Sequence, residues 1–253
     1  MAKTIGVFEY VTLLGYSGSG KTSFMKAVKH GLTGVNYLLS KGVDGYYCDG
    51  HMVSREYFKE WRELKNLSTR DTRIREDFDL VVRHGRKVAQ ICWMDYRGKD
   101  YHKFDEELMQ KLRRCVDQSK LVLLLLDGQY ASKSGEFQAL GTVILEDGST
   151  KLDMKKFKDG NEYIREMVPQ MMEVFEGTTN PVTLVPVVTK ADMFMNDRNY
   201  AEMVAFYQRY VEGCAAKYSN VRCEGHARLS SIVNGSYSPA KVFVGALRDH
   251  DVL

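Results

Sequence analysis

Eight residues near the amino end, Gly15-Tyr16-Ser17-Gly18-Ser19-Gly20-Lys21-Thr22, fit G-x-x-x-x-G-K-[ST] at every fixed position. Each fixed position has a chemical use. The glycines let successive backbone N–H groups curl around phosphate oxygens where a Cβ would clash. Lys21 has the reach for the β- and γ-phosphates of a nucleotide, and the Thr22 hydroxyl can take Mg²⁺. A helix that starts here directs its positive end at the same anion. The phosphate-binding set read from the sequence is Gly15, Ser17, Gly18, Ser19, Gly20, Lys21, Thr22 and Ser23.

A second candidate is Asp95-Tyr96-Arg97-Gly98, a D-x-x-G match. About one such match arises by chance in a chain of this size, so its position decides its value. Asp95 ends the strand-like run 87–95, and an aspartate at the carboxyl end of a strand beside a phosphate loop can hold Mg²⁺ through water. The Gly98 N–H can then sense a γ-phosphate and couple its presence to the loop beyond.

Two segments fit T-K-x-D, a pattern suited to reading a base. Thr150-Lys151-Leu152-Asp153 follows a polar turn, whereas Thr189-Lys190-Ala191-Asp192 directly follows the apolar run 182–188. A carboxylate that reads a base must project from the carboxyl edge of the sheet, which selects Thr189, Lys190 and Asp192. Spacing from Asp95 alone would favour 150–153, and Pro186 inside the preceding strand counts against 189–192. Asp192 can accept from the N1–H and N2–H₂ edge of guanine, a donor pair that adenine lacks. The stem of Lys190 would lie along the ring and the phosphate loop.

The elements that must position these groups follow from periodicity. Residues 8–14 read as a strand, and 22–31 as a helix with Phe24, Val28 and Leu32 at helical spacing. A turn signal falls at 43–46, and a helix is expected over 55–67 behind Ser54 as N-cap. Runs 78–82 and 87–95 are joined through His84-Gly85-Arg86, a connection too short for a crossover, and predict an antiparallel hairpin. A helix over 104–118 leads to a buried strand at 120–127. Residues 129–160 read as an insertion with a turn at Glu146-Asp147-Gly148. A helix over 161–175, a strand at 182–188, a helix over 200–218 and a short strand at 242–244 complete the pattern. Strands alternating with helices predict an α/β sandwich with a mainly parallel sheet and one inverted hairpin strand.

Composition bounds the rest. The chain has 253 residues, 44% hydrophobic and 27% charged, with a net charge of +3. That supplies a core and excludes disorder. It gives no support to a polybasic nucleic-acid binder, so no nucleic-acid partner is expected. The apolar run 121–126 is far too short for a bilayer span, and residues 1–6 carry no apolar leader. Five scattered cysteines without C-x-x-C spacing argue against a disulfide scaffold or structural zinc, so a cytoplasmic location is expected.

With these motifs in this order, the sequence resembles the GTPases of the translation-factor and Ras-like (TRAFAC) class over about residues 5–250. The wording Trp93-Met94-Asp95-Tyr96-Arg97-Gly98, with Ser230-Ser231 later, is most similar to the bacterial double-GTPase group, which is associated with multigene defence or conflict systems. The resemblance implies a three-layer P-loop G domain spanning 1–253, with insertions at about 33–68 and 129–160. It implies GTP or GDP as ligand with Mg²⁺, and a protein partner or second G domain acting on the switch segments. It further implies a switch I threonine on Mg²⁺, for which Thr72 is preferred to Thr69. The implied metal set is therefore Thr22, Thr72 and Asp95, and the catalytic set Lys21, Thr72 and Gly98. A fifth motif falls at Ser230-Ser231 in preference to Val244-Gly245-Ala246. With the sequence ending at Leu253, the last helix of the fold is expected to be missing. Lys99 stands where Ras-like relatives place a water-orienting glutamine, and lysine has no acceptor. Slow hydrolysis follows, with His102 as an internal substitute or a group supplied in trans. An ATPase or phosphotransferase, and a nucleotide-bound scaffold without turnover, are the competing functions.

Overall fold

Alternation along the sequence becomes alternation in space. The computed structural model describes residues 8–16, 18–33, 45–48, 77–84, 87–94, 106–128, 142–144, 150–152, 162–193, 200–232 and 237–252. In chain order these form β1 (Phe8–Gly15), α1 (Lys21–Thr33), β2 (Gly45–Cys48), β3 (Asp77–His84), β4 (Lys87–Met94), α2 (Glu106–Gln118) and β5 (Ser119–Asp127). There follow β6 (Thr142–Ile144), β7 (Thr150–Leu152), α3 (Glu162–Met172), β8 (Val182–Thr189), α4 (Tyr200–Ala215), β9 (Val221–Cys223), β10 (Arg228–Leu229) and α5 (Pro239–Asp249). Short 3₁₀ turns, Glu173–Phe175 and Ala191–Met193, extend α3 and follow β8.

The main sheet runs β10-β8-β5-β1-β4-β3-β2, with β9 also beside β8. β1 lies parallel between β4 and β5, and β8 runs parallel to β5, β9 and β10. β3 is antiparallel to both its neighbours, so it alone runs against the others among the described strands of this sheet. The expected hairpin is this β3–β4 pair, in register from Asp77 opposite Met94 to His84 opposite Lys87.

Period-two alternation sorts the central strands onto two cores. Leu14, Val122, Leu124, Leu126, Leu184 and Val188 pack with residues of α2, α3 and α4. Val11, Leu13, Leu121, Leu123, Leu125, Val185 and Val187 pack with Phe24, Met25 and Val28 of α1 and Phe243 and Leu247 of α5. Helices therefore cover both faces of a mainly parallel sheet, an α/β three-layer sandwich as expected. Met167, Met171 and Met172 of α3 are fully enclosed core filler. Among the described residues, no helix is long and apolar enough to cross a membrane.

Pro186 sits inside β8 without disrupting it. The N–H and C=O of Leu184 and Val188 face the β9/β10 edge, where Glu224 N–H bonds Leu184 O and Ser230 N–H bonds Val188 O. By alternation Pro186 faces the same edge, and it falls in the gap between β9, which ends at Cys223, and β10, which begins at Arg228. Its missing N–H costs the sheet no ladder bond there.

Three expectations need correction. Residues 242–244 are not a strand but lie within α5. Ser238 precedes a proline at the first helical position, and Phe243, Ala246 and Leu247 are buried at helical spacing, so the Val-Phe-Val run at 242–244 misled. The last helix is consequently present, packed on α1, and Val244-Gly245-Ala246 cannot end a strand. β2 begins at Gly45, inside the stretch 43–46 read as a turn, and β9 and β10 are too short to show any periodicity. Residues 142–144 and 150–152 pair as an antiparallel ribbon separate from the main sheet. The helix expected over 55–67 lies outside the described residues.

Candidate functional site

The phosphate loop leaves β1 at Gly15 and enters α1 at Lys21. A Cβ on Gly15 would stand 2.5 Å from Ser19 Oγ and 3.0 Å from Leu125 O, so only glycine fits this crossing. Gly18 and Gly20 have φ of 81° and 82°, the left-handed region that favours glycine. These turns make a concave backbone of the kind whose N–H groups bind anions. Ser19 N–H closes the loop onto Tyr16 O at 3.2 Å, and Phe24 N–H bonds Gly20 O at 2.7 Å to start the helix. Lys21 is only 5% exposed, and its Nζ donates to Gly15 O at 2.6 Å and Tyr16 O at 3.1 Å. A buried ammonium bound to loop carbonyls, beside a left-handed glycine nest, is a donor set that fits a phosphate group. Thr22 and Ser23 follow in the first turn of α1, half-buried.

The candidate base-reading segment meets this loop at the same sheet edge. Thr189 ends β8, and its hydroxyl lies 2.9 Å from Ser19 O and 3.0 Å from Leu126 O, one proton serving two acceptors. Lys190 takes a left-handed backbone, φ 55°, which turns the chain sharply into the 3₁₀ turn that carries Asp192. Ser231 Oγ donates to Asp192 Oδ1 at 2.6 Å, and Ser230 O accepts from Ala191 N–H at 3.0 Å. Gly15, Gly18, Ser19, Gly20, Lys21, Thr189, Lys190, Asp192, Ser230 and Ser231 thus converge on the carboxyl ends of β1, β8 and β10. Thr150 and Lys151 of the other T-K-x-D match sit in β7, paired with β6 in the separate ribbon.

Sequence reasoning missed Asp127. It closes β5 between β1 and β8, 4% exposed, and its Oδ2 pairs with Lys190 Nζ at 2.8 Å. Its backbone is held on both sides. Asp127 N–H donates to Tyr16 Oη at 2.7 Å, and Asp127 O accepts from Tyr207 Oη at 2.7 Å. The signal was available, because Asp127 ends the apolar run 121–126 as Thr189 ends 182–188. The tyrosines carried no comparable signal.

Ser17, Thr69, Thr72, Asp95, Gly98, Lys99, His102 and Asp153 lie outside the described residues. Among the described residues, no group of three or more His, Cys, Asp or Glu side chains could hold a metal ion. Burial pushes the Cys214 thiol up and the Cys223 thiol up to about 12, so neither is a thiolate nucleophile at neutral pH.

No family model and no curated protein sequence matches the chain. Solved structures do resemble it. A crystal structure of a variant of SsGBP aligns with 96% of this chain and 56% of its own length, at 10% identity and a TM-score of 0.48. A second SsGBP variant aligns with 95% of this chain and 57% of its own, at 11% identity and a TM-score of 0.46. A GTP-binding protein from the hyperthermophilic archaeon Sulfolobus solfataricus, in complex with GDP, aligns with 96% of this chain and 52% of its own length. Its identity is 9% and its TM-score 0.46. The chain spans little more than half the length of these structures.

Proposed function

We propose that this chain is a GTP-binding regulatory switch with slow intrinsic GTP hydrolysis, a single G domain with insertions at about 33–68 and 129–160. One observation carries the reading. A phosphate nest and a carboxylate suited to guanine share one sheet edge: Thr189 Oγ1 ties the base-reading segment to the loop at Ser19 O, and Ser231 Oγ holds Asp192. In this reading the nest and Lys21 hold the phosphates, and Asp192 accepts from the guanine N1–H and N2–H₂. Thr22, with Thr72 and Asp95, would hold Mg²⁺, which when bound neutralises charge on the phosphates. Gly98 reports the γ-phosphate to the segment beyond it.

Phosphoryl transfer of this type needs positioning and charge stabilisation rather than covalent chemistry from the protein. Lys99 replaces the water-orienting amide, so turnover is slow, on the order of 10⁻⁴ to 10⁻² s⁻¹, until a partner or second G domain supplies the missing group. The Trp93-to-Gly98 wording, with Ser230-Ser231 later, supports a place within a bacterial multigene defence or conflict system, and scattered cysteines without C-x-x-C spacing support a cytoplasmic one.

Competitive binding of GTP, GDP, ATP and XTP to the wild-type chain and to Asp192→Asn tests this. Wild type should prefer GTP and GDP. Asp192→Asn should lose about 1.5–3 kcal/mol per bond to guanine and turn toward XTP, whose O2 acceptor then meets an amide donor. Preference for ATP would establish the phosphotransferase or ATPase class instead. Unchanged GTP affinity in Asp192→Asn, with loss in Asp153→Asn, would move the base site to 150–153. Tight GTP binding with no turnover over hours would make the protein a nucleotide-bound scaffold.

A further inference from the structure

We propose that Asp127 is a positioning residue that sets the phosphate affinity of the loop, and that Lys190 acts on nucleotide phosphates by neutralising it. The observation is where the carboxylate stands. A Cβ on Gly18, in the middle of the phosphate loop, would lie 3.6 Å from Asp127 Oδ2. A carboxylate backing an anion nest opposes the ligand, and it does so more strongly with each charge the ligand carries.

It cannot swing away freely. Its backbone is fixed by Tyr16 Oη on one side and Tyr207 Oη on the other, and both rings are fully buried. The same Oδ2 accepts Lys190 Nζ at 2.8 Å, in a pair whose aspartate side chain is 5% exposed and whose lysine is 33% exposed. Lys190 reaches it from a left-handed backbone, a conformation that a non-glycine residue keeps only where its surroundings hold it. The lysine of the T-K-x-D segment thus has a protein target beneath the loop. Breaking this pair takes a positive charge away from a carboxylate next to the nest, which a purely packing role for Lys190 would not do.

The inference rests on the guanine-nucleotide reading, so the test separates the two. Guanosine, GMP and GDP are measured by competition against a fluorescent GDP analogue. The proteins are wild type, Lys190→Met, Lys190→Arg, Asp127→Asn and the Lys190→Met/Asp127→Asn pair. Asparagine keeps the backbone bonds to both tyrosines. Lys190→Met should weaken GDP by about tenfold or more, GMP less and guanosine least. Adding Asp127→Asn should return GDP to within about threefold of wild type, and Lys190→Arg, which keeps the charge, should lose less GDP affinity than Lys190→Met. Asp127→Asn alone should raise the preference for GDP over guanosine, a readout that does not depend on the lysine variants folding. An equal loss for all three ligands in Lys190→Met, or a double variant as weak as Lys190→Met, would overturn the proposal. Wild type that binds none of the three would overturn the guanine reading, and this inference with it.

Discussion

In the proposed reading Asp192 accepts from a base edge, which requires a fixed carboxylate, and the residue bonded to that carboxylate is Ser231. The Ser231 hydroxyl donates to Asp192 Oδ1 at 2.6 Å from a side chain that is almost fully enclosed. Its own N–H is fixed to Tyr237 O at 2.8 Å. Ser230 contributes differently, through its backbone N–H to Val188 O and its C=O to Ala191 N–H. Ser231→Ala should therefore weaken GDP binding about tenfold, the value of one hydrogen bond to a charged group, while Ser230→Ala changes it little. Equal effects of the two variants in a GDP titration would mean that the hydroxyl does not set the carboxylate. The strand, turn and helix that carry Gly15 to Thr22 were legible because the motif lies within eight consecutive residues. The Asp127–Lys190 pair was not, since its members stand 63 residues apart and meet only when β5 and β8 pair.

At the scale of elements, helix α3 contains Pro169, which has no N–H to give Arg165 O four residues back. The donor comes from the next helix. Tyr210 Oη of α4 bonds Arg165 O at 2.9 Å, with Phe206 stacked on the Tyr210 ring at 6.3 Å. Burial pushes the Tyr210 phenol up, so it remains a donor at neutral pH. Tyr210→Phe should cost about 1 kcal/mol in urea unfolding, and Pro169→Ala, which restores the helical N–H, should remove at least half of that cost. Strict additivity in the double-mutant cycle would show that the two helices do not share this carbonyl. The same cross-element logic explains what sequence reading lost. The long strands β1, β5 and β8 announce themselves by apolar runs, because each is buried on both faces. β9 and β10 are three and two residues long, defined by pairing with β8 rather than by any pattern of their own. In α5 the run 242–244 carries strand propensity that the proline start and the α1 contact override.

Taken whole, the molecule has two poles along β8, about 25 Å apart for eight residues of strand. The candidate site occupies the carboxyl pole, and a hydrogen-bonded seam closes the amino pole. There Asp117, near the end of α2, accepts from Thr179 N–H at 2.7 Å and Asn180 N–H at 3.1 Å. Asn220 bridges Thr178 and Asn180, and its carbonyl takes the N–H of Val182, the first residue of β8. The backbone N–H of Thr179, then that of Asn180, hold the Asp117 carboxyl below the usual carboxylate range. The sign follows from linkage. A carboxyl depressed in the folded state contributes stability that is complete above its unfolded value of about 3.9 and is lost as pH falls through the folded value. Asp117→Asn should therefore lower the unfolding free energy at pH 6–7, and the gap from wild type should close as pH falls below about 4. The two poles make this prediction separable from function. GDP affinity at neutral pH should be the same in Asp117→Asn and wild type, because the seam lies a full strand length from the phosphate loop. A gap that persists unchanged into acid would assign the seam's stability to packing rather than to the charge on Asp117. Weakened GDP binding in this variant would show instead that strain at the amino pole travels along β8 to Thr189.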